Sequence, residues 1–356
     1  DIADAVRAQL ERLFAYHTFT DFATPSTLEL AARIAARSPD PGSKIFFTSG
    51  GSDAVDSGAK LARRYHNLTG SPERTVIIVR EWAYHGMHAY GTSLAGIEPN
   101  ATGYGTMVGD VVVVPYDDAA AVDKAIEHAG AERIAAIFCE PVIGAGGVRP
   151  VSVDYLLAVR DLVRKAGGLF VSDEVITGFG RLGDWFASNR FGLEPDLILF
   201  AKGVTAGYQP LGGVVASPTV AAPFFNQPGT VWRHGYTYSG HASACAAGLD
   251  VLRIYEEEGI FQRARELETE LASALEPLIG VGPAVGLRSG TGAMAAVQLD
   301  HEDASLAVRV ASASRTAGVI TRAIAGNGLQ ISPPLIFTKS NIDEMVEGLR
   351  TGLRSV

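Results

Sequence analysis

The chain has 356 residues, of which 47% are hydrophobic and 19% charged, and this composition excludes an intrinsically disordered protein. Its length allows two domains, or one large domain with an appendage. The net charge of −9 argues against general binding to nucleic acid or to an anionic membrane, because both favour a basic protein surface.

The sequence also indicates a compartment. Its apolar runs are all shorter than the roughly 18 residues of a membrane span, and its N-terminus lacks a signal-peptide pattern. The two cysteines, Cys139 and Cys245, cannot form a disulfide framework and fit a reducing compartment. We therefore predict a cytoplasmic protein, with Cys139 of the apolar AAIFCEP as a small core residue rather than a catalytic thiol.

The first predicted element is a helix near the N-terminus. In DIADAVRAQLERLFAYH, Ile2, Val6, Leu10 and Phe14 recur every four residues, as on one face of a helix. The sequence starts inside this pattern without a methionine, so we expect native residues to precede it. We assign residues 1–39, as a helix and linker, to a smaller domain.

Seven short apolar runs then predict the strands of an α/β domain over residues 40–250. Their hydrophobicity is continuous rather than alternating, so both faces of the strands should be covered. Helical patterns such as SVDYLLAVRDLVRKAGG separate the runs, and this alternation predicts a mainly parallel sheet flanked by helices. The runs are KIFF (44–47), TVIIVR (75–80), VVVVPY (111–116), AAIFCEPV (135–142), GLFVSDEV (168–175), DLILFAK (196–202) and GGVVAS (212–217).

The remaining C-terminal part predicts a smaller α+β domain over residues 251–356. It contains a helical pattern at 261–278, the strand-like MAAVQL and a final amphipathic helix.

A phosphate cradle is a possible role for the turn after the first strand. In FFTSGGSDAVDSGAK, Gly50, Gly51 and Ser52 lie between a predicted strand and a predicted helix. Small residues there leave backbone N–H groups free, and the positive end of the helix dipole favours an anion. A turn of this kind often has no binding role, so its interpretation depends on the residues that lie near it.

Two charged residues lie at the ends of other predicted strands. Asp173 lies in the otherwise apolar FVSDEV, and a buried carboxylate is costly unless a cation or donor meets it. Lys202 closes DLILFAK, and a lysine beside an apolar site loses its proton more easily, which suits a Schiff base. Taken singly, Asp173 is most simply interpreted as a salt-bridged acid in the core, and Lys202 as a solvated residue at a strand end. Taken with the glycine turn, they match pyridoxal phosphate, which needs a phosphate grip, a partner for its pyridinium nitrogen and an amine for its aldehyde.

At these residues the sequence resembles a known family. It is similar to the class III aminotransferases, which belong to fold type I of the pyridoxal-phosphate enzymes. The resemblance covers nearly the whole chain in family order, through FFTSGGSDAVDSGAK, YHG, EPV, DEVITGFGR, AKGV, HGYTYSGH and NGLQISPPL.

The resemblance implies roles for the residues that grip the cofactor. Lys202 would hold pyridoxal 5'-phosphate covalently and then move a proton between two carbon atoms. Asp173 would keep the pyridine nitrogen protonated, so that the ring withdraws electrons. Gly51 and Ser52, with Gly50 nearby, would bind the phosphate.

The resemblance also implies the surroundings of the ring. Tyr84 would stack on one face with His85 beside it, and Val175 would pack against the opposite face. Glu140, of CEP, matches the family's carboxylate near the cofactor.

Two further residues imply a homodimer with shared sites. Thr237, from YTYSG, would reach the phosphate bound to the neighbouring subunit, and Tyr236 would line that shared site.

Arg322, in GVITRAIAGNGLQISPP, matches the family's carboxylate-binding arginine, whose guanidinium would hold an acid in a bidentate pair. The implied substrates are an amine or ω-amino acid donor and a keto acid acceptor such as pyruvate. Ile176, where relatives acting on ornithine or GABA have Gln, argues against those two substrates.

A dinucleotide site is the main competing interpretation of one motif. Gly178 to Gly183, GFGRLG, is a literal G-x-G-x-x-G after a predicted strand. A dinucleotide fingerprint should open a substantial helix, whereas the DWFASNRFGLEPD that follows is short and ends at Pro195. We therefore interpret these glycines as a turn. His85 and His88 lie three residues apart without a completing set of ligands, so we predict no metal.

Two other functions remain open at the sequence level. An aminomutase, racemase or decarboxylase of the same fold would keep the cofactor but would form product without an acceptor. A non-catalytic binding or regulatory relative would hold no cofactor that substrate amines can convert.

Overall fold

The computed structural model describes residues 1–300, 303 and 305–356. These residues form two compact units. The first unit contains residues 1–141, 151–179 and 184–258, and the second contains residues 142–150, 180–183 and 259–356.

The chain has strands and helices in alternation. The strands are β1 (Lys44–Thr48), β2 (Val76–Arg80), β3 (Val111–Val114), β4 (Ile134–Cys139), β5 (Val142–Ile143), β6 (Arg149–Pro150), β7 (Leu169–Asp173), β8 (Leu197–Phe200), β9 (Gly212–Ala216), β10 (Ala284–Arg288), β11 (Ala295–Leu299), β12 (Arg322–Ile324) and β13 (Gly328–Ile331). The α-helices are α1 (Ile2–Arg12), α2 (Pro25–Arg37), α3 (Gly51–Leu68), α4 (Ala89–Ser93), α5 (Glu98–Ala101), α6 (Ala119–Ala129), α7 (Val153–Lys165), α8 (Ala187–Phe191), α9 (Pro218–Asn226), α10 (Ala242–Glu257), α11 (Ile260–Leu275), α12 (Leu306–Thr316) and α13 (Lys339–Arg354).

The first unit is built on a seven-stranded sheet in the order β1-β9-β8-β7-β4-β2-β3. The pairs from β8 to β3 are parallel, and only β9 runs antiparallel to its neighbours β1 and β8. All seven predicted strands occur in this sheet, so the predicted α/β fold with a mainly parallel sheet is confirmed. Every residue of β2, β4, β7, β8 and β9 is buried, as their continuous apolar runs indicate.

Helices cover both faces of this sheet. Alternate residues of a strand point to opposite faces, and β2 divides accordingly. Ile77 and Val79 pack in a cluster with α3, whereas Val76 and Ile78 pack in a second cluster with α6 and α7. Cys139 is buried in this second cluster, and burial raises the pKa of its thiol, as expected for a core cysteine.

The N-terminal helices belong to the first unit. Residues 1–39, which we assigned to a smaller domain, include α1 and α2, and both pack against α10. Leu30 and Ile34 of α2 are fully buried in the same cluster as residues of α10 and of the sheet. The four-residue repeat of α1 is mostly at the surface, because among its members only Val6 is buried.

The second unit contains a four-stranded antiparallel sheet in the order β10-β11-β13-β12. Helices α11, α12 and α13 supply its core with residues such as Leu267, Val310 and Leu349, which meet Val297 and Leu329 of the sheet. The predicted helix at 261–278, the strand MAAVQL and the final amphipathic helix correspond to α11, β11 and α13.

No helix among the described residues combines the length and the apolar character that crossing a membrane requires.

Parallel strands place the segments that follow them at one edge of the sheet. The segments after β1, β2, β4, β7 and β8 begin near Ser49, Glu81, Glu140, Glu174 and Ala201. The sheet therefore brings together the segments in which the sequence places Gly51, Tyr84, Glu140, Asp173 and Lys202.

A test of this sheet geometry is the close approach at Gly212, which pairs with Thr48 at the start of β9. A Cβ at Gly212 would lie 2.6 Å from the Gly50 carbonyl oxygen and 2.9 Å from that of Phe200. Both are backbone atoms, so the sheet would have to shift, and overpacking of this kind costs about 1–3 kcal/mol. We predict that Gly212→Ala lowers the free energy of unfolding by this amount in denaturant titrations.

Gly109→Ala is the matched control, because nothing lies within 4 Å of a Cβ at Gly109. Equal stability of the two variants would contradict the close packing of β9 against the start of α3.

Candidate active site

A cavity of about 150 Å³ lies at this edge of the main sheet. It combines small, aromatic and charged residues, and eight of the residues predicted for the site are among them. The lining residues are Gly51, Ser52, Val55, Tyr84, His85, Gly86, Glu140, Asp173, Val175, Ile176 and Lys202. A larger cavity of about 630 Å³ lies between α1, α2 and α10 and contains none of the predicted site residues.

One end of the cavity is the N-terminus of α3. Gly50 is the N-cap in an extended conformation, and Gly51 and Ser52 are the first two helical residues. The first backbone N–H groups of a helix have no partner within it, so this end can bind an anion. Gly86 closes against it, because a Cβ there would lie 2.6 Å from Ser52 Oγ. The serine oxygen also accepts a hydrogen bond from the Met87 N–H at 3.1 Å.

The buried acid of the cavity is Asp173, the last residue of β7, which is 4% exposed. Its Oδ2 lies 2.7 Å from His85 Nδ1, and its Oδ1 accepts the Val175 N–H at 3.1 Å. A carboxylate has about four lone-pair sites, so these two contacts leave room for a further donor. His85 Nε2 is buried and has no hydrogen-bond partner within the described part of the chain.

Lys202 follows β8 and begins a short 3-10 turn, Lys202–Thr205. The strand ends at Phe200, so this lysine lies beyond the strand end that the sequence indicated. Its φ is +44°, in the left-handed region that residues with a Cβ rarely occupy. Such strain costs about 1–3 kcal/mol and tends to occur at functional sites. The turn places the lysine in the same cavity as Asp173.

Backbone contacts hold the segment that carries Tyr84, an aromatic residue of the cavity. Glu140, 4% exposed, accepts the Tyr84 N–H at 3.0 Å through Oε1. Arg80, fully buried at the end of β2, donates to the backbone carbonyls of Glu140 and Tyr116, and its guanidinium lies 5.9 Å from the ring of Tyr155. Arg80 is not among the residues predicted from the sequence, although a charged residue that closes the apolar TVIIVR is a signal for it.

Glu174, the neighbour of Asp173, is also not among the residues predicted from the sequence. Glu174 is fully buried and accepts hydrogen bonds from the Ala187 N–H, from the N–H and hydroxyl of Ser188, and from the Ser172 hydroxyl. Burial raises the pKa of its carboxyl to about 7, against the opposing effect of these donors. Glu174 therefore fixes the turn that follows β7 to the start of α8.

Four predicted residues do not line the cavity. Gly50 caps α3 beside it. The Tyr236 hydroxyl donates to the Asp53 carbonyl of α3 at 3.2 Å, and Thr237 is exposed in the turn that follows. Arg322 is exposed on β12 of the second unit. Their proposed contacts with substrate or with a second subunit stay predictions.

The GFGRLG segment is a turn. Phe179, Gly180 and Gly183 have positive φ, and the helix that follows, α8, has only five residues. This geometry differs from the long helix that a dinucleotide fingerprint opens.

Comparisons with known proteins show the family to which the chain belongs. The family model described as Aminotransferase class-III matches residues 1–353. The omega-aminotransferase of Caulobacter vibrioides is 35% identical over 358 residues, which are 93% of this chain and 80% of that protein. The putrescine–pyruvate aminotransferase of Pseudomonas aeruginosa is 34% identical over 371 residues, which are 97% of this chain and 81% of that protein.

A solved structure has the same fold. An amine transaminase from an uncultivated Pseudomonas species, in its PLP-bound form, superposes with a TM-score of 0.94 at 35% identity, covering 99% of this chain and 86% of that one. The chain belongs to the class III aminotransferase family and is an enzyme that transfers amino groups with pyridoxal phosphate. The cavity fits this cofactor, because it combines a helix N-terminus, a buried acid, a lysine and an aromatic residue.

The raised pKa of Glu174 predicts a pH dependence of stability. Its carboxyl titrates near pH 7 in the folded protein but near its ordinary value of 4.5 when unfolded. Between these values the folded state binds more protons than the unfolded state, so the free energy of unfolding falls as pH rises. Glu174→Gln removes this titration. Relative to that variant, the wild type should lose stability from about pH 4.5 to about pH 7 in denaturant titrations.

The free energy of unfolding is measured for both proteins at each pH, and the difference between them is compared. Taking this difference cancels the titration of all groups that the two proteins share. A difference that stays constant over this interval would contradict the assigned environment of Glu174.

Proposed function

We propose that this enzyme moves an amino group from an amine or ω-amino acid to a keto acid such as pyruvate. The transfer proceeds in two half-reactions, with the donor leaving before the acceptor binds. The observation that carries the proposal is the cavity in which Lys202 and the Asp173–His85 pair come together. The substrate class is supported by the names of the relatives, which include a putrescine–pyruvate aminotransferase and an amine transaminase.

Eight residues of the cavity have a proposed task. Pyridoxal phosphate, when bound, supplies an aldehyde and a ring that withdraws electrons. Lys202 Nζ would hold the aldehyde end of the cofactor and would carry the proton that the reaction moves. Asp173 would accept a hydrogen bond from the ring nitrogen of the cofactor, and His85, 2.7 Å away, would orient this carboxylate.

The remaining contacts position the cofactor. Gly51 and Ser52 would bind its phosphate with the N–H groups at the start of α3. Tyr84 and Val175 would pack against its ring, and Glu140 holds the Tyr84 backbone at 3.0 Å.

We further propose a homodimer with shared active sites. Exposed aromatic residues support it, namely Phe14, Tyr16, Phe19, Phe22 and Tyr238, which we call the aromatic face. Tyr16 packs edge-on against Phe22, and a Cβ at Gly235 would lie 2.6 Å from the ring of Phe19, so segments 14–22 and 231–239 share this face. Exposed groups of aromatic side chains are typical of protein–protein interfaces. A second copy covers the aromatic face, and Thr237 reaches the phosphate held by that copy.

The compartment remains part of the proposal. Both cysteines are free and buried, and burial raises the pKa of the Cys245 thiol to about 12. Two unreactive thiols without a disulfide agree with a cytoplasmic location.

The direct test of the proposed mechanism is Lys202→Ala. This variant should bind pyridoxal phosphate reversibly, because the phosphate and nitrogen contacts remain, but nitrogen exchange between donor and acceptor should fall by about three orders of magnitude or more. The exchange is measured with an isotope-labelled amine and unlabelled pyruvate.

Lys339→Ala is the control, since this exposed lysine pairs with Asp343 on α13 and does not line the cavity. Near-native exchange by the Lys202 variant would overturn the assignment.

The substrate proposal predicts a selective effect of Arg322→Met. If the guanidinium holds the carboxylate of the keto acid, the KM for pyruvate should rise by about 10–100-fold, and the KM for an amine without a carboxylate should change far less. Steady-state kinetics with a panel of donors and acceptors measures both.

Arg315→Met offers a matched control at an exposed arginine of the same unit. An equal rise in both KM values, or none, would remove Arg322 from the substrate pocket.

A further inference from the structure

Residues 231–239 lie outside the strands given above, and we call them the anchored segment. The burial of the side chains alternates along most of this segment. Trp232, His234 and Tyr236 are half-buried, whereas Val231, Arg233 and Thr237 are exposed. Because the segment lies outside the sheets of the described residues, side-chain contacts hold it in place.

His234 makes the densest set of contacts. Its Nε2 lies 2.8 Å from Ser57 Oγ, and its Nδ1 lies 2.9 Å from Lys60 Nζ. Its ring stacks on Phe46 at 5.4 Å and packs against Trp232 at 4.7 Å. Ser57 and Lys60 lie one turn apart on α3, so a single histidine joins the anchored segment to two positions of that helix.

Tyr236 extends the same connection. Its hydroxyl lies 3.3 Å from Ser57 Oγ and donates to the Asp53 carbonyl at 3.2 Å. Its ring meets the ring of His234 edge-on at 5.3 Å. The fully buried hydroxyl of Ser57 therefore serves both side chains that flank Gly235.

The chemistry of the partners fixes the direction of these hydrogen bonds. A lysine ammonium only donates, so Nδ1 of His234 accepts and Nε2–H donates to Ser57. This arrangement needs a neutral imidazole. Burial and the nearby Lys60 ammonium lower the pKa of His234 to about 4, which keeps it neutral at ordinary pH.

The same helix also carries Gly51 and Ser52, the phosphate-binding residues of its own subunit. One helix thus carries the proposed cofactor site at its N-terminus and, over its first three turns, holds the anchored segment, which contains Thr237. No residue of the anchored segment is among the described lining residues of its own chain's cavity, so we expect a shift of the segment to act mainly through Thr237.

We propose that His234 is a positioning residue for the active site of the second subunit, because it fixes the anchored segment to α3 and so sets where Thr237 meets the partner's phosphate. This inference rests on the shared site of the proposed function. It assigns the effect of His234 to the partner's cofactor rather than to the cofactor of its own chain.

His234→Phe is the test variant, since the ring contacts with Phe46 and Trp232 remain and both nitrogen contacts are lost. The measurement is the amount of cofactor that borohydride fixes irreversibly to Lys202 at increasing concentrations of pyridoxal phosphate. Half-saturation of the His234→Phe homodimer should need about tenfold more cofactor, as for one lost hydrogen bond. Half-saturation at the wild-type concentration would overturn the proposal.

Heterodimers separate positioning from a general loss of structure. A His234→Phe subunit is paired with a Lys202→Ala subunit by means of two affinity tags. Only the first subunit can fix cofactor, and it meets an unaltered anchored segment from its partner. Its half-saturation should therefore return to the wild-type concentration. Half-saturation that stays about tenfold raised would show that His234 acts within its own chain and would overturn the proposal.

Ser57→Ala is a second variant, which removes only the shared hydroxyl. Its homodimer should also need more cofactor for half-saturation, and pairing with Lys202→Ala should restore the wild-type concentration. The opposite results with a folded dimer would contradict the proposal. A Thr237→Ala subunit paired with Lys202→Ala tests the shared site itself. If half-saturation of that pair needs as much cofactor as half-saturation of the Thr237→Ala homodimer, the proposal of a shared site is wrong. If wild-type protein fixes no cofactor, the proposed function fails.

Discussion

The site depends on one buried carboxylate, Asp173, at the end of a central strand. Removing a carboxyl group from water costs free energy unless donors replace the lost hydrogen bonds. Here His85 Nδ1 and the Val175 N–H supply two of them, at 2.7 Å and 3.1 Å. The parallel sheet makes this arrangement possible, because it delivers the segment after β2 and the end of β7 to the same edge. These two contacts leave room for a further donor, and in the proposed function a protonated ring nitrogen would fill this place.

Two adjacent acids show how the environment separates structural from chemical roles. Asp173 lines the cavity, whereas Glu174 is turned into the protein, where donors from α8 and β7 surround it. Helix α3 is the second organising element. Its N-terminus contributes Gly51 and Ser52 to the cavity, and its next turns hold residues 231–239 through Ser57 and Lys60.

Much of the fold and part of the site could be predicted from the sequence, because continuous apolar runs mark buried parallel strands and polar residues at their ends stand out. The seven strands predicted in this way are confirmed, and Asp173 and Lys202, which were chosen in this way, line one cavity. The packing partners of α1 and α2 could not be predicted, since helical periodicity identifies the apolar face of a helix but not the element that this face packs against. The contacts of Arg80 and Glu174 were also missed, because their partners are distant in sequence or are backbone atoms without a local signature.

The central claim is that pyridoxal phosphate bridges Lys202 and Asp173 within this cavity. A crystal structure of the protein with the bound cofactor tests it most directly. The account predicts continuous electron density from Lys202 Nζ to the cofactor, with the ring nitrogen within hydrogen-bonding distance of an Asp173 carboxylate oxygen. Cofactor density joined to another residue, or a ring nitrogen away from Asp173, would contradict it.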